Sequence, residues 1–169
     1  PILLLGVASG DRPVEFPAFS VDPEKRGETF QENLNVIRQA HRTHFEPIRW
    51  SHGELLGADL VPKPTTREIP LFVTGHSRQS LDWIARESHG WINYPRPPKI
   101  QRLIVEDWRQ ETAKQCGTIY KPFLQSLYID LDEHPSTPPS PIHLGFRLGR
   151  NHLRALLDTL QEIGVDHVI

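Results

Sequence analysis

Hydrophobic positions along the chain fall into two rhythms. Short unbroken apolar runs read as strands covered on both faces, and runs spaced three and four apart read as amphipathic helices. The opening run Ile2–Val7 is of the first kind, with Ala8–Pro13 as the loop behind it. Asp22 then serves as a helix N-cap with Pro23 at the first helical position. Phe30, Leu34 and Ile37 share one face of that helix, and Glu24, Lys25, Glu28, Glu32 and Arg38 supply charge elsewhere. Residues 43–68 are irregular, broken by Gly53, Gly57, Pro62 and Pro64, with room for a short edge hairpin.

From there the alternation is clear. Ile69–Thr74 is a strand, Gly75–Ser80 a turn, and Leu81, Ile84 and Ala85 the inner face of a helix. Gly90–Tyr94 is the next strand. Pro95, Pro97 and Pro98 hold off helix until about Lys99, and Ile100, Leu103, Ile104 and Trp108 mark a third helix ended by Gly117. Phe123–Leu131 reads as one strand and His134–Pro141 as a proline-rich loop. Leu153, Leu156, Leu157, Leu160 and Ile163 stripe a last helix, stopped by Gly164, and Val165–Ile169 begins another strand.

Alternation of this kind implies parallel strands joined by right-handed crossovers. Two α/β architectures fit: an open doubly wound sheet, or part of a (β/α)8 barrel, which needs about 250 residues when complete. The chain starts at Pro1, just ahead of a buried-type strand, and ends within another, and it contains no methionine. The expectation is therefore a single incomplete domain over residues 1–169.

Composition narrows the functional classes. The 19 basic and 21 acidic residues nearly cancel and are interspersed, so no basic stripe points to nucleic acid. No apolar stretch reaches the roughly 20 residues of a membrane helix. Cys116 is the single cysteine and forms no internal disulfide, which suits a reducing, cytoplasmic setting. Nine histidines show no metal-ligand spacing: there is no HExxH, and Cys116 has no nearby ligand partner. Neither a Walker A loop, a GxGxxG nor a GxSxG elbow occurs.

In parallel α/β folds ligands meet the carboxyl ends of strands. In the turn Gly75-His76-Ser77-Arg78-Gln79-Ser80, free amides and two hydroxyls at a helix start suit an anion. The alternative is that Ser77 simply caps the helix. Asp11, Arg12 and Glu15 follow the first strand, where they either line a pocket or pair on the surface. Tyr94 and Arg96 end the Trp91 strand, as a stacking ring and an anion contact, or as packing and a solvated cation.

These segments together resemble the luciferase-like flavin-dependent oxidoreductases, which are (β/α)8 barrels, and the resemblance implies that residues 1–169 lack N-terminal strands and a last helix of such a barrel. LLLGVASGDRPVEFPAF with Glu24-Lys25-Arg26 resembles the family's mid-barrel strand, its glycine-containing end and the following helix. IPLFVTGHSRQSLDWIA is similar to the strand and helix that carry the flavin phosphate, GWINYPR to the next strand, and LGRNHLRALLDTLQEIGVDHVI to the late helix and strand entry. One departure is Ser88-His89-Gly90-Trp91, where relatives often read Asp-Gly before the apolar residue. The resemblance implies a phosphate site on the backbone of Gly75 and His76 and the hydroxyls of Ser77 and Ser80, with the ring system near Ala8, Ser9 and Gly10. It implies reduced FMN, or the deazaflavin F420, passing hydride to a small organic substrate, or in the case of FMN activating oxygen for a monooxygenase reaction. Electrons would come from the flavin itself or a flavin reductase, and the protein would be a homo-oligomer with no nucleic-acid or membrane partner. The rival from another class is a non-catalytic doubly wound module binding a phosphorylated ligand or a protein.

Overall fold

A computed structural model describes residues 3–66 and 68–169. They divide into two compact units, one running to Leu71 with Ser77–Gln79 added, the other comprising Phe72–His76 and Ser80–Ile169.

The first unit contains β1 (Leu5–Val7), α1 (Glu15–Ala18), α2 (Arg26–Arg42), β2 (Ile48–Trp50) and β3 (Gly53–Leu55). Leu5 N–H donates to Pro70 O at 2.9 Å. The strand is shorter and more open than its apolar sequence implies. Leu3 and Leu4 precede it and are exposed, and Pro1 and Ile2 lie outside the described residues. The helix expected from Asp22 begins at Arg26. The Asp22 carboxylate accepts the Glu24 amide at 2.9 Å and its carbonyl accepts the Lys25 amide, which closes a turn rather than opening the helix. Phe30 and Leu34 form the buried face of α2, with Ile48 of β2 also buried in this unit. The edge hairpin is present: β2 and β3 pair antiparallel, Ile48 opposite Leu55 and Trp50 opposite Gly53.

The second unit is built on β4 (Leu71–Thr74), β5 (Gly90–Asn93), β6 (Phe123–Gln125) and β10 (His167–Val168), all parallel and adjacent in that order. The order contains no reversal, so these strands have no doubly wound switch point. Side chains of alternate residues take opposite faces. Phe72, Ile92 and Leu124 form a buried cluster on one face. On the other, Trp91 packs edge-on against Phe123 and lies 5.5 Å from Trp108 of α4 (Pro98–Cys116). A packed aromatic set of this kind explains why Trp108 is fully buried.

α4 turns a different face inward from the one its apolar residues mark. Gln101, Val105, Trp108 and Thr112 are buried, while Ile100 and Leu103 are exposed. Three and four apart, the buried residues follow Trp108, the largest side chain of the helix, and carry a glutamine inward with it. The helix also starts one residue before Lys99, with Pro98 in the first turn, where a missing N–H costs nothing. α3 (Leu81–Glu87) is short, and Ser80, not Ser77, occupies its N-cap position.

The expected single strand Phe123–Leu131 is two. After β6 the chain turns at Ser126 and Leu127 into β7 (Tyr128–Leu131), which pairs parallel with β9 (Gly145–Leu148), and β9 pairs antiparallel with β8 (Ser140–Ile142). The end of the proline-rich loop thus becomes an edge strand, and Pro141 fits there because an edge leaves donors unused. Gly145 is required by this pairing: a Cβ on it would stand 1.8 Å from Tyr128 O. α5 (Arg150–Glu162) then returns the chain to β10, with Leu160 buried.

Candidate functional site

In the second unit, Gly75 follows β4 with φ 57°, a left-handed conformation that glycine adopts without strain. Its N–H donates to Ile92 O at 2.8 Å, and its carbonyl accepts the Trp91 indole N–H at 2.7 Å. Gly75 therefore shapes the turn while its own amide is spent on the sheet. The Tyr94 ring lies over it, 3.4 Å from where a Cβ would be. His76 is exposed and sets its ring edge-on against Trp91, 5.4 Å between centroids. Ser80 is exposed at the start of α3. Its hydroxyl bonds to Asp82, and Arg86 reaches the same carboxylate at 2.7 Å; together they hold the Asp82 carboxyl down at about 2.

In the first unit, Ser9 N–H donates to Ser77 Oγ at 3.2 Å. This joins two stretches that the family resemblance implies for the same ligand, the loop Ala8–Gly10 and the turn at Ser77. Ala8 and Gly10 are exposed, and Gly10, at φ 77°, passes above the Phe16 ring. Ser77 and Arg78 both have positive φ, 47° and 61°. Two consecutive non-glycine residues in that region are held by their surroundings. Gln79 does the holding: it is buried, its Nε2 donates to Gly27 O at 2.9 Å, and its Oε1 accepts from Gln31 Nε2. The result turns the Arg78 side chain to solvent.

Asp11, Arg12 and Glu15 are exposed, and Arg12 pairs with Glu15 at 3.5 Å, which is the surface-paired arrangement. Arg96 is exposed beyond β5. Among the described residues no three His, Cys, Asp or Glu side chains gather as a metal site.

Sequence reading passed over Arg78 and Gln79. A cation inside a turn at a strand's carboxyl end was the available signal for Arg78. Gln79 gives no local signal, because its partners are 48 and 52 positions away.

The family model for luciferase-like monooxygenases matches residues 3–120. The uncharacterized protein y4wF of Sinorhizobium fredii is 22% identical over 160 residues, 91% of this chain and 46% of that protein. An F420-dependent secondary alcohol dehydrogenase, solved with an F420–acetone adduct, superposes with a TM-score of 0.74 at 13% identity, over 98% of this chain and 62% of that one. DmoA of Hyphomicrobium sulfonivorans gives 0.68 at 12% identity, over 96% of this chain and 55% of that one. The monooxygenase RslO1 of Streptomyces bottropensis gives 0.64 at 16%, over 96% and 46%. The chain thus spans about half the length of the curated relative and of two of these structures, and somewhat more of the third. The likenesses establish an α/β fold with the parallel sheet of the luciferase-like barrel. With the match over residues 3–120, the chain belongs to the luciferase-like monooxygenase family.

Proposed function

We propose that the protein is a flavin-dependent oxidoreductase of the luciferase-like kind. It binds FMN, or F420 in its place, with the cofactor phosphate on the turn Gly75–Ser80 and the ring system over Ala8, Ser9 and Gly10. The observation that carries this reading is the Ser9–Ser77 hydrogen bond, which ties the ring-side loop to the phosphate-side turn. The turn offers the phosphate the exposed Arg78 side chain and the His76 main chain, donors that suit a dianion. Gly75 contributes its left-handed φ, and Tyr94 stands over it as a surface for an aromatic ring.

The bound flavin supplies hydride transfer or, in the case of FMN, oxygen activation. The residues of this chain orient it. Gln79 fixes the strained turn, Ser77 fixes the loop Ala8–Gly10, and Arg86 keeps the Asp82 carboxylate paired beside the phosphate position. The substrate is a small organic molecule, and reducing equivalents come from reduced flavin or a flavin reductase in the cytoplasm, to a homo-oligomer.

Replacing Arg78 by glutamine tests the assignment. Each hydrogen bond is worth about 0.5–1.5 kcal/mol and more to a charged acceptor, so FMN binding weakens roughly tenfold or more. Riboflavin, which lacks the phosphate, loses little. Equal losses for both ligands, measured by flavin fluorescence titration, overturn the phosphate site.

A further inference from the structure

α4 buries one face in the second unit through Gln101, Val105, Trp108 and Thr112. Its opposite face is apolar as well: Leu103 is 60% exposed and Ile100, three residues earlier, 49%. Nothing in the second unit covers these two side chains. They also do not sit among randomly placed charges.

Lys99, Leu103 and Asp107 stand four residues apart and are all exposed, so they form one ridge along the helix. Lys99 and Asp107 are separated by about 12 Å along the axis, too far to pair with each other. Neither has an ion-pair partner among the described residues. Nearby charges behave differently: Arg86 pairs with Asp82 on α3, and Lys114 with Glu111 further along α4. The ridge thus carries an unpaired cation at one end, an unpaired anion at the other and leucine in the middle. Such a ridge is complementary to its own reverse.

We propose that this face of α4 is a contact surface for a second copy of the chain, with the two helices crossing antiparallel at Leu103. Ridges of four-residue spacing laid into one another's grooves give the commonest helix crossing. A two-fold axis at Leu103 seats that leucine in the groove beside Ile100 of the second copy. It also sets Lys99 of each copy against Asp107 of the other. The leucine and isoleucine side chains leave water, and the two ion pairs fix the direction of crossing. A parallel crossing would set like charges against like. The same patch serves both copies, as a closed dimer contact requires. The contact goes beyond the oxidoreductase reading and needs no flavin.

Leu103→Cys on a Cys116→Ser background of the intact, flavin-free protein tests the contact. Thiols beside the two-fold axis fall within disulfide reach. Mild oxidation therefore links most chains in pairs, whereas Arg154→Cys on the same background, exposed on α5, links few. Sedimentation velocity tests the charge arrangement. Lys99→Asp and Asp107→Lys each weaken association about fivefold or more, because two attractive pairs become repulsive. The double exchange Lys99→Asp with Asp107→Lys restores association, and an equimolar mixture of the two single variants forms mixed pairs. All the replaced charges are exposed, so thermal melts stay close to the parent's. A disulfide yield at position 103 no higher than at 154, or a double exchange that associates as weakly as the single variants, overturns the proposal. A failed FMN titration removes the cofactor assignment and leaves this contact standing, and the converse holds.

Discussion

Arg109 on α4 meets Asp166, just ahead of β10, at 2.7 Å. The guanidinium also donates to Lys121 O and Gly164 O and stacks 4.4 Å above the Tyr120 ring, whose hydroxyl bonds the other carboxylate oxygen. Phe123 N–H donates to Asp166 as well, so one carboxylate ties the amino end of β6 to the entry of β10. Burial alone would push the Asp166 carboxyl up, but the bonds from Tyr120, Phe123 and Arg109 outweigh it and hold it below its usual 3.8. A carboxyl lowered in the folded state contributes stability above its unfolded value, and that contribution is lost as pH falls through the folded one. The melting temperature therefore falls on acidification below about pH 4. In Asp166→Asn it is lower at neutral pH, by the equivalent of about 1–3 kcal/mol, and flatter across the acid range. Parallel acid slopes for the two proteins would contradict this.

Lys121 is a buried cation with a structural task. Its Nζ donates to Ser88 O at 2.6 Å and to Ala85 O, the carbonyls at the end of α3. A cation there also answers the negative end of the helix. Lys121→Met keeps the length and removes every lysine donor, taking the cation from Ser88 O and leaving Ala85 O with only the Cys116 thiol, at a cost of about 2–3 kcal/mol. Urea denaturation reads the loss directly; an unchanged midpoint would mean the carbonyls are served by water.

Gly145→Ala is the severest single change expected. The new methyl group would overlap Tyr128 O, backbone that cannot rotate away. β7 and β9 must separate, at a cost above about 3 kcal/mol. A variant that melts like the parent would show that the pairing tolerates a shift.

Arg78→Ala separates charge from shape at the turn. The side chain is exposed, so folding is expected to change by less than about 0.5 kcal/mol. FMN affinity drops about tenfold, riboflavin affinity does not, and the salt dependence of FMN binding becomes shallower. Equal effects on FMN and riboflavin would place the phosphate elsewhere.

Strands β4 and β5, the turn between β4 and α3, and helices α2 and α5 could be read from residue spacing, since each is local. The inward face of α4 could not. Ile100 and Leu103 look like core by hydropathy, and only the packing of Trp108 against Trp91 shows that Gln101 goes inside instead. The three-stranded sheet β7–β9–β8 was hidden for another reason: its pairings join positions 128–131 to 145–148, and a proline-rich stretch carries no strand signal. The candidate site divides the same way. Gly75 and Ser80 announce a turn by residue type, whereas the Ser9–Ser77 contact spans 68 positions.

Trp91 gives the protein an optical readout of its own. The indole is clamped by Gly75 O, flanked by His76 and seated 5.5 Å from Trp108, so excitation passes readily between the two tryptophans. Flavins absorb in the band where tryptophan emits. A flavin held on the adjoining turn, as proposed, would drain that emission and make occupancy of the site visible as a loss of light without any added label.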